Sequence, residues 1–366
     1  MIGQRLLRAR KAAGLSLREL AERTCVSHTA ISKFEKGLLT PSSGQLIEFA
    51  KTLGVRGEFF FRPMQAEITG VEYRKKASMP KRLLDRVHGD VLDQAERWQE
   101  LLSLYPDSPI EAFAVPRGLI DTIHEEGQVE TLAEGLRQAW SLGASPIPGL
   151  IDTLKSKGVR VIGTDADDQG KFDGLAGTVD GVPLIVVGRH WPGDRQRFTL
   201  AHELGHLVLA GRVVLERPGV DANACIRGDP LERLCNGFAG AFLMPRQAVI
   251  GHLGAHRRRL EPNELVLLKH EYGLSMQACL FRALDAGVID AATHQGLFRL
   301  FSERGWRKQE PGAPYPPEET ILFKQLVFRA LGEGLVGESK AAEILGVPLG
   351  QFHRQRKLEA AGAAAH

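Results

Sequence analysis

Two histidines four residues apart, with a glutamate directly after the first, stand at His202, Glu203 and His206. They lie in a run from Arg197 to Leu209 that has no proline and is apolar at Phe198, Leu200, Ala201, Leu204, Leu207, Val208 and Leu209. Such a run predicts a buried helix. Helix positions i and i+4 share one face, so two imidazoles can address the same metal ion. Glu203 lies about 100° around the axis, beside the ion, where a general base for a metal-bound water belongs. The pattern also arises by chance, and paired helical histidines are often ordinary polar groups. Burying three ionisable groups in an apolar helix without a metal or partners would be costly, which favours the metal.

A hydrolytic zinc site usually takes three protein ligands and a water. The best candidate for the third is Glu232, in the run Leu231 to Pro245. Glu232 and Asn236 are again i and i+4. The carboxylate can bind metal while the amide oxygen accepts a hydrogen bond from a ligand imidazole and so fixes its tautomer. A surface glutamate on a helix is the competing reading.

The elements that must position these groups are legible too. Val159 to Ile162 reads as a strand. Leu175 to Val179 and Pro183 to Val187 bracket Asp180-Gly181, a hairpin signal. Residues 130–143, 148–157 and 231–243 read as helices, and 262–289 as two more. Lys81 to Leu104 reads as a long charged helix, ended by Pro106 and Pro109. Tyr73 to Lys76 is a basic patch, and Glu310 to Pro317 is proline-rich enough to be a linker.

The 366 residues suggest two or three domains, with 43% hydrophobic and 25% charged residues as in ordinary globular proteins. No apolar run approaches the roughly 20 residues needed to span a bilayer, and the N-terminus lacks a signal-peptide core. A cytoplasmic protein is expected. Cys25, Cys225, Cys235 and Cys279 are scattered, which fits reduced thiols. The net charge of +3 is uneven, because residues 1–62 hold eleven Lys/Arg against five Asp/Glu. A basic N-terminal module hints at nucleic acid. That module reads as short helices: Arg5 to Ala13, ended by Gly14; Leu17 to Thr24, with Ser16 and Glu19 as a capping box; Ser27 to Lys36, ended by Gly37; and one opened by Thr40-Pro41-Ser42.

Arg195-Gln196-Arg197-Phe198-Thr199-Leu200-Ala201-His202-Glu203-Leu204-Gly205-His206, followed by Glu232 through Pro245, resembles the ImmA/IrrE-type metallopeptidases. Asp173 to Gly177, strand 183–187 and Tyr272 to Ala278 resemble that family as well, so the likeness covers roughly 130–290. It implies metal ligands His202, His206 and Glu232, Glu203 as base, and peptide hydrolysis. Leu234-Cys235 departs from the usual Glu-Ala before the asparagine; Glu232 is favoured because its spacing lets Asn236 serve the same site. Zinc suits two imidazoles and a carboxylate, with manganese as the alternative. His190 and Tyr272 are candidate oxyanion donors, and strand 183–187 a candidate edge for an extended substrate.

Leu15-Ser16-Leu17-Arg18-Glu19-Leu20-Ala21, Val26-Ser27, Ile31 to Gly37 and Pro41 resemble the XRE helix-turn-helix family. Leu20, Ala21, Ile31 and Phe34 are then the core. The third helix would enter the major groove of an operator duplex with Ser27, His28, Thr29, Ser32 and Lys33 exposed. Arg18 and Lys36 flank it and would hold phosphates.

Glu338 to Phe352 also has helix-turn-helix rhythm, but the run is short and weakly basic, and a packing or dimer element is preferred. The expected chain is α+β and mostly α: a helix-turn-helix domain (1–62), a helical connector (63–109), a zincin-like metallopeptidase domain with a small sheet (110–290), a linker (291–318) and a small helical unit with a frayed tail (319–366). The expected function is a DNA-binding zinc metalloendopeptidase that cleaves a repressor or other regulatory protein, without membrane attachment and as a homodimer by helix-turn-helix symmetry. The alternative is a transcriptional regulator whose peptidase-like domain senses metal, ligand or partner without turnover.

Overall fold

The computed structural model describes residues 2–62, 68–72 (backbone only), 80–167, 172–214 and 229–358. The basic patch at Tyr73 to Lys76, Cys225 and the alanine-rich tail after Leu358 lie outside the described residues.

The first unit is four helices, α1 (Ile2–Ala12), α2 (Leu17–Thr24), α3 (His28–Glu35) and α4 (Ser43–Leu53), closed by a 3-10 turn at Gly57–Phe61. Local chemistry sets the boundaries. Ser16 and Glu19 form a reciprocal capping box at α2, Ser42 and Gln45 another at α4, and Ser27 accepts from the Ala30 amide at α3. Leu6, Leu20, Ile31, Phe34, Phe49 and Phe60 fill the core.

A short strand, β1 (Ile68–Glu72), precedes α5 (Lys81–Ser103), whose 23 residues span about 35 Å. α5 is the spine of the molecule. Its Leu83, Val87, Val91, Leu92 and Ala95 cover one face of the sheet, and Trp98 and Leu101 pack against the C-terminal unit. On α1, Arg5 and Arg8 both reach Glu96, at 2.5 and 2.9 Å. Gly89 permits this approach, since a Cβ there would lie 2.5 Å from the Cβ of Ala12.

Next come α6 (Gln128–Ala139), α7 (Leu150–Ser156), β2 (Arg160–Thr164), β3 (Gly174–Val179) and β4 (Val182–Gly188). The sheet order is β1-β3-β4-β2, with β2 and β4 parallel and the other pairs antiparallel. The hairpin turn has φ of 50° at Asp180 and 79° at Gly181, the two positive values that a type I′ turn requires. Side chains alternate across the sheet: Leu184 and Val186 face α5, whereas Ile185 and Val187 join the main core.

That core is built on α8 (Gly193–Leu209), α9 (Pro230–Leu243), α10 (Arg246–Leu253), α11 (Pro262–Tyr272) and α12 (Met276–Asp285). α13 (Ala291–Glu303) follows, then α14 (Leu322–Gly332), α15 (Glu338–Leu345) and α16 (Leu349–Arg356). Residues 291–318, expected as a linker, therefore contain a helix, and the proline-rich stretch is docked on α8. The Gly193 amide donates to the Tyr315 carbonyl, and a Cβ on Gly193 would overlap the carbonyl of Pro316. Glu318 pairs with buried Arg197, and Glu310 accepts from Lys269 at 2.8 Å. Proline stops helix formation here, but buried partners satisfy the chain, so it lies as a strap. Among the described residues no helix is long and apolar enough to cross a membrane.

Candidate metal centre

α8 is buried on nearly every side, with His202 at 0% and Glu203 at 2% exposure. α9 lies directly against it. Gly205 sets how close, because a Cβ at that position would lie 3.1 Å from a ring carbon of Phe238 and 3.4 Å from the Cα of Cys235. Asp229 caps α9 and Pro230 opens it, so Glu232 falls in the first turn. Glu232 and Asn236 on α9 thereby face His202 and His206 on α8.

The Nε2 atoms of His202 and His206 stand 3.0 Å apart. The Glu232 carboxylate oxygens lie 3.2 Å from His206 Nε2 and 3.6 Å from His202 Nε2. Ligands about 2.0–2.1 Å from a tetrahedral centre are separated from one another by about 3.3 Å. These three groups match the edges of such a tetrahedron, so the donor set fits a zinc-sized ion. The Asn236 Oδ1 lies 2.9 Å from His202 Nδ1. An amide oxygen only accepts, so Nδ1 carries the proton and Nε2 keeps its lone pair for a metal. Glu232 is 36% exposed, which leaves the centre open to solvent on that side.

Cys235 is the group that residue patterns did not place here. Its sulfur and the imidazole nitrogens of His202 and His206 all lie within 4.8 Å of one another. The only signal was the departure Leu234-Cys235 from the resembled motif. Glu232 is the closer fit, because its oxygens already sit at ligand–ligand spacing.

Tyr272 and His190, the candidate oxyanion donors, have contacts of their own. The Tyr272 hydroxyl lies 3.1 Å from His252 Nε2, and burial, with Glu271 nearby, holds its phenol above the usual range. His190 is exposed and packs on Trp191 with ring centroids 4.6 Å apart. Strand 183–187 cannot offer an edge: β4 is interior, with β3 on one side and β2 on the other, so its backbone groups are already committed.

At the other end of the chain, Arg18, Ser27, His28, Thr29, Lys33 and Lys36 are exposed, and Ser32 is half-buried. Leu20, Ile31 and Phe34 are buried and Ala21 is partly so. The N-terminus of α3 is thus a polar, solvent-facing surface on a packed core.

Residues 154–284 match the family described as the IrrE N-terminal-like domain, and residues 6–60 match the helix-turn-helix family. A curated protein from Deinococcus radiodurans, radiation response metalloprotease IrrE, is 39% identical over 70 residues, which cover 18% of this chain and 20% of that protein. The similarity thus spans about a fifth of that relative. The chain carries an N-terminal helix-turn-helix domain followed by an IrrE N-terminal-like domain. His202, Glu203, His206, Glu232 and Asn236 all fall inside the second match.

Proposed function

We propose that this chain is a DNA-tethered zinc metalloendopeptidase that cleaves a repressor or another regulatory protein. The observation that carries the reading is the convergence of His202, His206 and Glu232 beside a buried Glu203, on a chain that also carries a helix-turn-helix domain. His202, His206 and Glu232 would hold the ion, zinc by donor type and manganese as the alternative. A bound ion supplies Lewis-acid polarisation of the scissile carbonyl and lowers the pKa of a water toward about 7. Glu203 would take a proton from the attacking water and hand it to the leaving amine. Asn236 holds the His202 ring in the tautomer that leaves Nε2 free.

α3 then places Ser27, His28, Thr29, Ser32 and Lys33 against base edges, with Arg18 and Lys36 on phosphates. Operator binding raises the local concentration of any repressor bound nearby, which restricts cleavage to few substrates. The reading places the protein in the cytoplasm as a homodimer on its operator.

A sensor without turnover is the second reading. A cavity of about 1020 Å³ at the junction of the helix-turn-helix domain, α5, the sheet and the strap favours it; Arg5, Arg62, Asp93, Arg97, Lys155 and Arg189 are among its lining residues. The test is to incubate the zinc-loaded chain with regulators encoded beside it, with and without chelator. Chelator-sensitive cleavage of one regulator is expected. An effector that alters DNA binding while every candidate stays intact would replace the peptidase with the sensor.

A further inference from the structure

Two joints in this chain share one backbone. In the first, eight-residue α2 ends at Cys25 with φ 52° and ψ 24°, passes Val26, and Ser27 at φ −60° and ψ 142° opens eight-residue α3. In the second, eight-residue α15 ends at Gly346 with φ 70° and ψ 22°, passes Val347, and Pro348 at φ −59° and ψ 143° opens eight-residue α16. At a constant offset the core and exposed positions largely correspond, although buried Phe34 falls against exposed Gln355. Leu20 matches Ala341 and Ile31 matches Phe352, all fully buried. Lys33 matches Arg354 and Lys36 matches Lys357, all exposed.

We infer that α14, α15 and α16 form a second helix-turn-helix whose α16 contacts duplex DNA. Phe352 is the only buried residue of α16, stacked on Phe328 of α14 with ring centroids 5.7 Å apart. Gln351, His353, Arg354, Gln355, Arg356 and Lys357 face solvent. From Ile344 to Leu358 there is no Asp or Glu, so the exposed side is cationic. Glu338 at the start of α15 holds His353 and Arg356, which fixes α16 against its partner helix. Among the described residues Arg354 and Lys357 make no ion pair, and they stand where phosphate or base contacts fall in such a joint. Arginine and glutamine are also suited to bidentate reading of guanine and adenine edges. A polyanion is the occupant that this composition fits; an apolar protein surface would leave exposed cations and amides to be desolvated without partners.

The two joints share one mounting. α1 and the C-terminal unit both dock on α5, through Glu96 and through Trp98 and Leu101. Arg62, at the end of the first unit, also pairs with Glu343 of α15 at 2.9 Å. The two joints are therefore held by one frame.

The test measures binding of the full-length chain to a random-sequence 30-base-pair duplex across a salt series. The variants are Arg354→Glu with Lys357→Glu, and separately Lys33→Glu. Circular dichroism and sedimentation are recorded on each. Each lost phosphate contact lowers the slope of log affinity against log salt by about 0.9. The double variant is expected to lower that slope by about 1.8 and to weaken binding to all sequences alike, with helicity unchanged. Charge-preserving Arg354→Lys with Lys357→Arg should restore the slope. An unchanged slope and affinity in the double variant overturns the inference, as does a change of oligomeric state with DNA binding intact. Lys33→Glu reports on the first joint separately, so failure of one is not mistaken for failure of the other.

Discussion

Gly205→Ala asks whether the spacing of α8 and α9 makes the metal centre. A Cβ at Gly205 would lie 3.1 Å from Phe238 Cδ1 and 3.4 Å from the Cα of Cys235. Carbon pairs prefer about 3.5–4.0 Å, so α9 must move by a few tenths of an ångström. The Phe238 ring cannot simply turn away, because it is fully buried and stacked on Phe242 with centroids 5.7 Å apart. Glu232, six residues earlier on the same helix, moves with it. Overpacking costs about 1–3 kcal/mol, and replacing a mid-helix glycine by alanine returns about 1 kcal/mol. The net loss of stability is then about 0–2 kcal/mol. Displacing the carboxylate from its 3.2 and 3.6 Å spacing should reduce zinc affinity by at least about tenfold, the scale seen when groups supporting ligands are perturbed. Urea unfolding with chelator present measures the first quantity, and competition with a chromophoric chelator measures the second. Wild-type zinc affinity in this variant would refute the claim that helix packing sets the site.

Further expectations concern single groups. Asn236→Leu should leave the apo thermal midpoint nearly unchanged yet weaken zinc binding about 10–100-fold, because His202 loses its tautomer lock; wild-type affinity by competition would remove Asn236 from the account. X-ray absorption of the zinc-loaded chain should show only nitrogen and oxygen neighbours at about 2.0–2.1 Å, and Cys235→Ser should keep full metal content; a sulfur at about 2.3 Å would make Cys235 the ligand. Burial holds Lys155 down to about 8 from 10.5. The unfolded chain therefore binds more protons between those values, and stability contributed through this group rises with pH across that window. Urea midpoints of wild type and Lys155→Met should diverge in favour of wild type by at most about 3 kcal/mol from pH 7 to 10.5; a pH-independent difference would contradict the assignment.

Much of this organisation is written locally. The spacing of His202 and His206, the capping boxes at Ser16 and Ser42, and the Asp180-Gly181 turn depend on neighbours within four residues, and local rules find them. That Glu232 and Asn236 share one face of a second helix was legible through the same i, i+4 spacing. What was not legible is tertiary. The strap from Glu310 to Glu318 has linker composition, and its docking rests on partners distant in sequence: the buried cations Arg197 and Lys269 and the Gly193 amide. The interior place of β4 follows from β2 returning parallel beside it, which no alternation pattern states. The approach of Cys235 to the histidines follows from α9 crossing at Gly205. The helix-turn-helix rhythm of Glu338 to Phe352 was legible, but its match to α2–α3 needed backbone angles, because the aligned side chains differ at most positions.

The central claim is that Glu203 does chemistry at an ion held by His202, His206 and Glu232. The direct measurement is made on Glu203→Gln, with zinc content and cleavage of a regulator read on one preparation. Full zinc occupancy with cleavage abolished is the predicted result. Full zinc occupancy with undiminished, chelator-sensitive cleavage would contradict the account.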